Sequence, residues 1–194
     1  MTALTTSLLW LLMASIVLST AGCERRAPER EQRSEPDVRP EEADASRWTT
    51  GIVEGPAFPA NPPPAGTTLL RRVEAARHPE FDRVVFEFGG ERLPSYHVEY
   101  IDRPVRQCGS GEVVQLAGDA WLEVRLHGAQ AHTDEGAPTV APRERRLDLP
   151  VLLELESTCD FEAEVTWVMG VASPNPYRVL ELSSPARLVV DLRH

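Results

Sequence analysis

The stretch FEAEVTWVMGV at residues 161–171 decides the fold class of this chain. Apolar side chains stand at every odd position from Phe161 to Val171, with Glu162, Glu164 and Thr166 between the first of them. A period of two belongs to a β-strand, in which successive side chains point to opposite faces of the sheet. The stretch therefore predicts a strand with one face in a core and the other in water.

The same alternation recurs from Thr67 to the end of the chain. It is clear over residues 122–127 and 188–193, and it predicts further strands at 69–76, 83–88, 96–102, 151–157 and 177–182. Residues 69–76 also suit a helix, and that alternative stays open. About eight half-buried strands need a second layer to cover them. We therefore predict an all-β domain over residues 67–194, a two-sheet antiparallel β-sandwich.

Residues 24–66 differ in composition, with 8 of the 17 prolines, 9 acidic residues and 6 arginines. Such a segment buries too little apolar surface to offset the entropy of ordering it. We expect residues 23–66 to form a disordered tether rich in Pro, Glu and Arg. An alternative stays open for residues 48–64: Trp48, Ile52 and Phe58 are apolar for a spacer, and they fit a partner-binding peptide.

The amino terminus has the pattern of an export signal. Residues 8–17 form an apolar run of about ten residues, too short to cross a bilayer as a helix. The following LSTAGC at 18–23 resembles the bacterial lipobox, whose Cys is lipidated on sulfur and becomes the first residue. We expect a lipoprotein signal peptide over 1–22 and fatty acids such as palmitate on Cys23, which anchor the chain in a membrane. Glu24 favours the outer membrane, facing the periplasm; an ordinary secretory signal is the alternative.

The chain has 3 cysteines and a net charge of -10. If Cys23 is lipidated, Cys108 and Cys159 remain, an even number in an oxidising compartment. We predict a disulfide between them, with two free thiols as the alternative. The acidic balance argues against nucleic acid as a partner, because tracking phosphates needs a cationic face.

Two segments resemble a known family. HPEFDRVVFEF at 78–88 and PYRVLELSSPARLVVDL at 176–192 resemble the AMIN-like domain of bacterial envelope lipoproteins. The second segment is also similar to the last two strands of the AMIN domain proper, which accompanies cell-wall amidases and occurs in pilus secretins. The resemblance spans about residues 67–194. It implies a β-sandwich in the cell envelope and, by analogy with AMIN domains, binding of peptidoglycan.

Four residues within these segments are candidates for ligand binding: Asp82, Arg83, Arg187 and Asp191. In one interpretation they form ion pairs that fix strand register, or they bind loop amides. In the other they form a polar platform for sugar hydroxyls or peptide carboxylates, with Arg supplying bidentate donors.

Aromatic or amphipathic partners for a docked glycan would come from residues near that platform. His78, Phe81, Tyr96 and Tyr100 are the candidates, although Tyr96 and Tyr100 share a strand face with Val98 and suit the core. Pairs of carboxylates such as Glu154 with Glu156 are typical of the solvated face of a sheet.

Enzymatic chemistry has little support in the sequence. Gly109-Ser110-Gly111 lacks the nucleophile-elbow pattern, and the 5 histidines show no metal-ligand spacing. We predict no catalytic residue, no metal and no cofactor. The expected function is a non-catalytic, membrane-anchored envelope protein that binds an envelope ligand such as peptidoglycan. The alternative is a protein-interaction or scaffold subunit of an envelope assembly, which would use exposed sheet edges or residues 48–58.

Overall fold

The computed structural model describes residues 48–55 and 66–194, and within those ranges the chain is all strand and loop, with no helix. The predicted signal peptide, Cys23 and most of the predicted tether lie outside the described residues. The strands are β1 (Val53–Gly55), β2 (Thr68–Arg77), β3 (Phe81–Phe88), β4 (Ser95–Ile101), β5 (Ala120–His127), β6 (Ala129–Gln130), β7 (Glu144–Arg146), β8 (Leu152–Phe161), β9 (Glu164–Val171), β10 (Tyr177–Leu182) and β11 (Arg187–Arg193).

The strands form two sheets, which confirms the predicted fold class. A six-stranded sheet has the order β1-β4-β5-β9-β8-β7, and a five-stranded sheet has the order β10-β11-β3-β2-β6. All pairs of strands are antiparallel except β2 with the short β6. No described helix is long and apolar enough to cross a membrane.

The core lies between the inner faces of the two sheets. On β3, alternate residues from Asp82 to Phe88 are buried, and β5 repeats the pattern from Ala120 to Leu126. The ring of Phe86 packs edge-on against that of Trp167, with centroids 6.5 Å apart. Period-two alternation therefore predicts the core-facing residues correctly on these strands.

The stretch at 161–171 is not one strand, and this prediction was wrong. Strand β8 ends at Phe161, which is 64% exposed, and β9 begins at Glu164. Glu162 and Ala163 form the hairpin turn between them, with positive φ angles of 50° and 64°. Hairpin turns with positive φ angles usually contain Asn or Gly. Because neither residue type is present, the alternation continues through the turn in sequence although the chain reverses.

The outer face of β9 is also buried, because a loop covers it. Val168 packs with Val105 and Leu116 from the segment between β4 and β5, and together they form a second, smaller apolar cluster. The loop approaches β9 closely at Gly170, where a Cβ atom would lie 2.2 Å from the carbonyl oxygen of Ala117. A side chain of any size at position 170 would push this loop away.

A disulfide fixes the same loop to the six-stranded sheet. Cys108, in a turn, is bonded to Cys159 on β8, with Cα atoms 5.2 Å apart. The pairing agrees with the prediction. Closing a loop of 51 residues stabilises the fold by about 4 kcal/mol in the chain-entropy model.

One open side of the sandwich is closed by residues 48–55, which we call the clasp. Thr49 and Tyr177 exchange two backbone hydrogen bonds of 2.8 Å at the edge of the five-stranded sheet. Four residues later β1 begins and pairs with β4, the next strand of the six-stranded sheet. The clasp thus crosses from one sheet edge to the other, so the part of the chain that packs into the sandwich starts before residue 67.

Candidate functional site

The structure separates the four candidate binding residues. Arg83 and Asp191 face each other across β3 and β11 on the outer face of the five-stranded sheet. Asp82 points to the opposite, inner face and is fully buried. Arg187 lies at the far end of β11, opposite Glu87. Only Arg83 and Asp191 are therefore brought together.

Asp82 links the two sheets. Its Oδ2 atom accepts hydrogen bonds from the backbone amides of Val151 at 2.7 Å and Leu152 at 2.9 Å, where β8 begins. Its Oδ1 atom lies 3.1 Å from Nε2 of His194. A buried carboxylate with such partners orients the chain around it. Because Asp82 is fully buried, a ligand at the surface cannot reach it.

Asp191 is the centre of an ion-pair network. Nε and Nη2 of Arg83 donate to its two oxygens at 2.6 and 3.0 Å, and Nε of Arg178 donates to Oδ2 at 2.8 Å. The Asp191 side chain is 0% exposed. Removing a single partner from such a buried ion pair is strongly destabilising, so these bonds fix the register of β3, β11 and β10.

Aromatic rings surround the guanidinium groups of this network. The Cζ atom of Arg178 lies 4.6 Å from the centroid of Trp48 and 5.1 Å from that of Phe81. Cζ of Arg83 also lies 5.1 Å from the Phe81 centroid, and the ring of His78 stacks on Phe81 at 4.6 Å. Cation–π contacts of this kind hold the guanidinium planes in place.

We call this surface the arginine–aromatic cluster. It comprises residues from the clasp, the turn before β3, and strands β3, β10 and β11, namely Trp48, His78, Phe81, Arg83, Arg178, Asp191 and Arg193.

The cluster is locally cationic on an acidic domain. Residues 67–194 contain 14 arginines and 21 acidic residues, whereas the cluster holds three arginines and one aspartate. Both oxygens of that aspartate already accept hydrogen bonds. Arg193 is exposed and lies against the Trp48 ring, with Cζ 5.8 Å from its centroid. The surface can therefore offer donors and positive charge to an anionic group.

The guanidinium groups of the cluster suit the binding of an anion. Arginine stays protonated at any physiological pH and does not relay protons. In the described part of the chain, no group of three or more His, Cys, Asp and Glu side chains is placed to hold a metal ion.

Three members of the cluster were not predicted as ligand-binding residues: Trp48, Arg178 and Arg193. Arg178 stands in the segment that carries the family resemblance, but only the pairing of β10 with β11 shows that it faces Asp191. Trp48 stands in the predicted tether, and long-range pairing of the clasp brings it to the sheet. Only its apolar character in a polar segment gave a signal.

Tyr96 and Tyr100 do not join the cluster. The hydroxyl of Tyr96 donates to Oε1 of Glu181 at 2.8 Å, and that of Tyr100 donates to the carbonyl of Asn175 at 2.6 Å. Burial raises the pKa of Tyr100 to about 12. The expectation that these rings suit the core is met, since both pack against it.

The carboxylate pair on β8 is not a solvated row. Glu154 is fully buried and its Oε2 atom accepts the amide of Ala117 at 2.7 Å, because the disulfide-linked loop covers this face. Burial, and then the charges of Glu144 and Glu154, raise the pKa of Glu156. These groups hold the loop in place at the edge of the sheet.

The fold defines a class of protein: an all-β sandwich, which here carries a fixed cluster of arginines and aromatic rings on the outer face of one sheet. A family model for the AMIN-like domain matches residues 68–194, and the chain belongs to the AMIN-like family. Comparisons with curated proteins and with solved structures give no match.

Membership of this family gives a context for the surface. It implies a cell-envelope or periplasmic location and a domain of the peptidoglycan-binding type. AMIN domains bind peptidoglycan or partner envelope proteins, and AMIN-like domains are typically non-catalytic. The clasp lies outside the matched residues, so Trp48 is a contribution of this chain beyond the family domain.

Proposed function

We propose that this chain is a lipid-anchored, non-catalytic envelope protein that binds peptidoglycan through the arginine–aromatic cluster. The observation that carries the proposal is the cluster itself: a fixed, locally cationic surface on an acidic domain of a peptidoglycan-binding type. Preorganised donors bind an anionic polymer without a further cost of ordering their side chains.

The anchor in this proposal is a fatty-acylated Cys23, following removal of residues 1–22. The lipobox-like LSTAGC at 18–23 supports it, together with the envelope context of the family. Mass spectrometry of the amino-terminal peptide of the mature protein tests it directly. A mature chain that carries no acyl chains on Cys23 contradicts the anchor, and Cys23→Ser should release the protein from membranes.

The outer membrane, facing the periplasm, is the proposed location of the anchor. Glu24 supports it, since Asp at the position after the lipidated Cys often retains a lipoprotein at the inner membrane. Separation of the two membranes on a density gradient tests this location. Recovery with the inner membrane contradicts it.

Co-sedimentation with purified peptidoglycan sacculi tests the binding. We expect the full-length protein, solubilised in detergent, to be retained, and Phe81→Ala to weaken retention because Phe81 holds two guanidinium groups in place. Phe161→Ala is the matched control, since Phe161 is an exposed ring of the other sheet. Equal loss in both variants would show that the cluster is not the surface.

A scaffold role in an envelope assembly is the second candidate. The acidic balance of the domain favours it, because anionic wall polymers repel a surface of like charge. The clasp is already paired with β4 and with Tyr177, so it is not free to be the contact in this structure. Absence of wild-type retention on sacculi would select the scaffold.

A further inference from the structure

The cluster can offer a ligand hydrogen-bond donors but few acceptors. Asp191 is the one carboxylate of the cluster, and both of its oxygens accept hydrogen bonds from arginines. Arg193 has no ion pair within residues 48–55 and 66–194. The cluster therefore presents positively charged donors, whereas the carboxylate of Asp191 already accepts hydrogen bonds from the protein.

The aromatic rings are occupied as well. Phe81 has the guanidinium groups of Arg83 and Arg178 over it and the ring of His78 stacked on it. Trp48 has Arg178 and Arg193 beside its ring. A neutral sugar docks by stacking on an open ring and by using both donors and acceptors, so this surface is poorly suited to a glycan.

The spacing of the arginines suits a small anion. Arg83 pairs with Asp191, and Arg193 stands two residues further along β11 on the same face. Such diagonal neighbours on adjacent strands are roughly 7–8 Å apart, within reach of long side chains. Two guanidinium groups at that spacing can share one carboxylate, for which arginine is the best geometric match among side chains.

We propose that the cluster recognises the free carboxylates of the peptide stems of peptidoglycan and not its sugars. This inference rests on the proposed function and narrows it to a ligand class. Arg193 is the residue that contacts the carboxylate first, because it is exposed and makes no ion pair with another described residue. Arg83 supports it from the neighbouring strand.

The test uses the full-length protein in detergent and sacculi in three forms. One is untreated, and one has its free carboxyl groups converted to methylamides with a carbodiimide and methylamine. The third is the glycan left after an amidase removes the peptide stems; because the stems carry the cross-links, its strands are coupled to beads so that they sediment. We expect at least tenfold weaker retention on the second and third forms than on the first.

Variants connect this result to the cluster. Arg193→Gln should weaken retention on untreated sacculi at least fivefold and leave the weak retention on methylamidated sacculi unchanged. Arg72→Gln is the matched control, because Arg72 stands on the outer face of the same sheet in an exposed pair with Glu87. Both variants remove one charge, so an equal effect would indicate attraction by net charge alone and overturn the inference.

The outcomes separate the two proposals. Equal retention on untreated and methylamidated sacculi overturns carboxylate recognition and leaves peptidoglycan binding intact. Retention on none of the three forms overturns both. Retention on stripped glycan as strong as on untreated sacculi would assign the sugars as ligand and also overturn the inference.

Discussion

Replacing Asp82 tests how the two sheets are joined. The carboxylate is fully buried, and one oxygen accepts the amides of Val151 and Leu152. In Asp82→Ala both amides lose their acceptor, and each unsatisfied buried donor costs about 1–3 kcal/mol. We therefore expect a loss of about 2–6 kcal/mol, a large part of the roughly 5–15 kcal/mol typical of a domain.

Asp82→Asn should cost less, about 1–2 kcal/mol, because its amide oxygen can replace Oδ2 and only the charge assistance is lost. Asp148→Ala, an exposed aspartate just before β8, is the control and should stay within about 0.5 kcal/mol of the wild type. Urea unfolding followed by tryptophan fluorescence measures all three, since Trp167 is buried in the folded chain. If Asp82→Ala unfolds at the urea concentration of the control, the carboxylate does not join the sheets.

Two further changes test the loop that covers the six-stranded sheet. Gly170→Ala would place a Cβ atom 2.2 Å from the oxygen of Ala117, so we expect a loss of about 1–3 kcal/mol and a lower Tm; Gly109→Ala, in open space, should show neither. The pKa of Glu156 is raised in the folded chain, so the folded chain binds more protons than the unfolded chain. The fold therefore loses stability as the pH rises above the ordinary glutamate pKa of about 4.3. Glu156→Gln should raise Tm at pH 7 and give no gain in Tm below about pH 4. The control Glu112→Gln, at an exposed position, should change Tm at neither pH. A gain in Tm for Glu156→Gln that persists in acid contradicts this pH dependence.

The fold class could be predicted because burial imposes a period of two on most of the strands. Residues 177–182 match β10 at both ends, and the other predicted strands differ from the observed ones by a few residues. The hairpin turn at Glu162 and Ala163 could not be predicted, since its backbone needs positive φ without the residue types that usually adopt it. The short edge strands β1, β6 and β7 were also missed, because two or three residues carry no measurable period.

The candidate site could be predicted only in part. Alternation on β11 placed Asp191 away from the core stripe, and the pairing with Arg83 follows from strand register. Asp82 stands next to Arg83 in sequence, yet it faces inward, and its partners at the start of β8 are about 70 residues away. Trp48 reaches the same surface through the clasp. Contacts between distant segments decide such positions, and no local pattern encodes them.

The clasp has a consequence for how the sandwich behaves without it. A chain that begins at residue 68, where the family match begins, lacks the strand that pairs with β4 and the bridge to Tyr177. Two neighbouring strand edges would then expose unpaired amide and carbonyl groups, which are templates for pairing with another molecule. The clasp thus covers the edges of β4 and β10, and we expect a chain without it to pair with other molecules more readily.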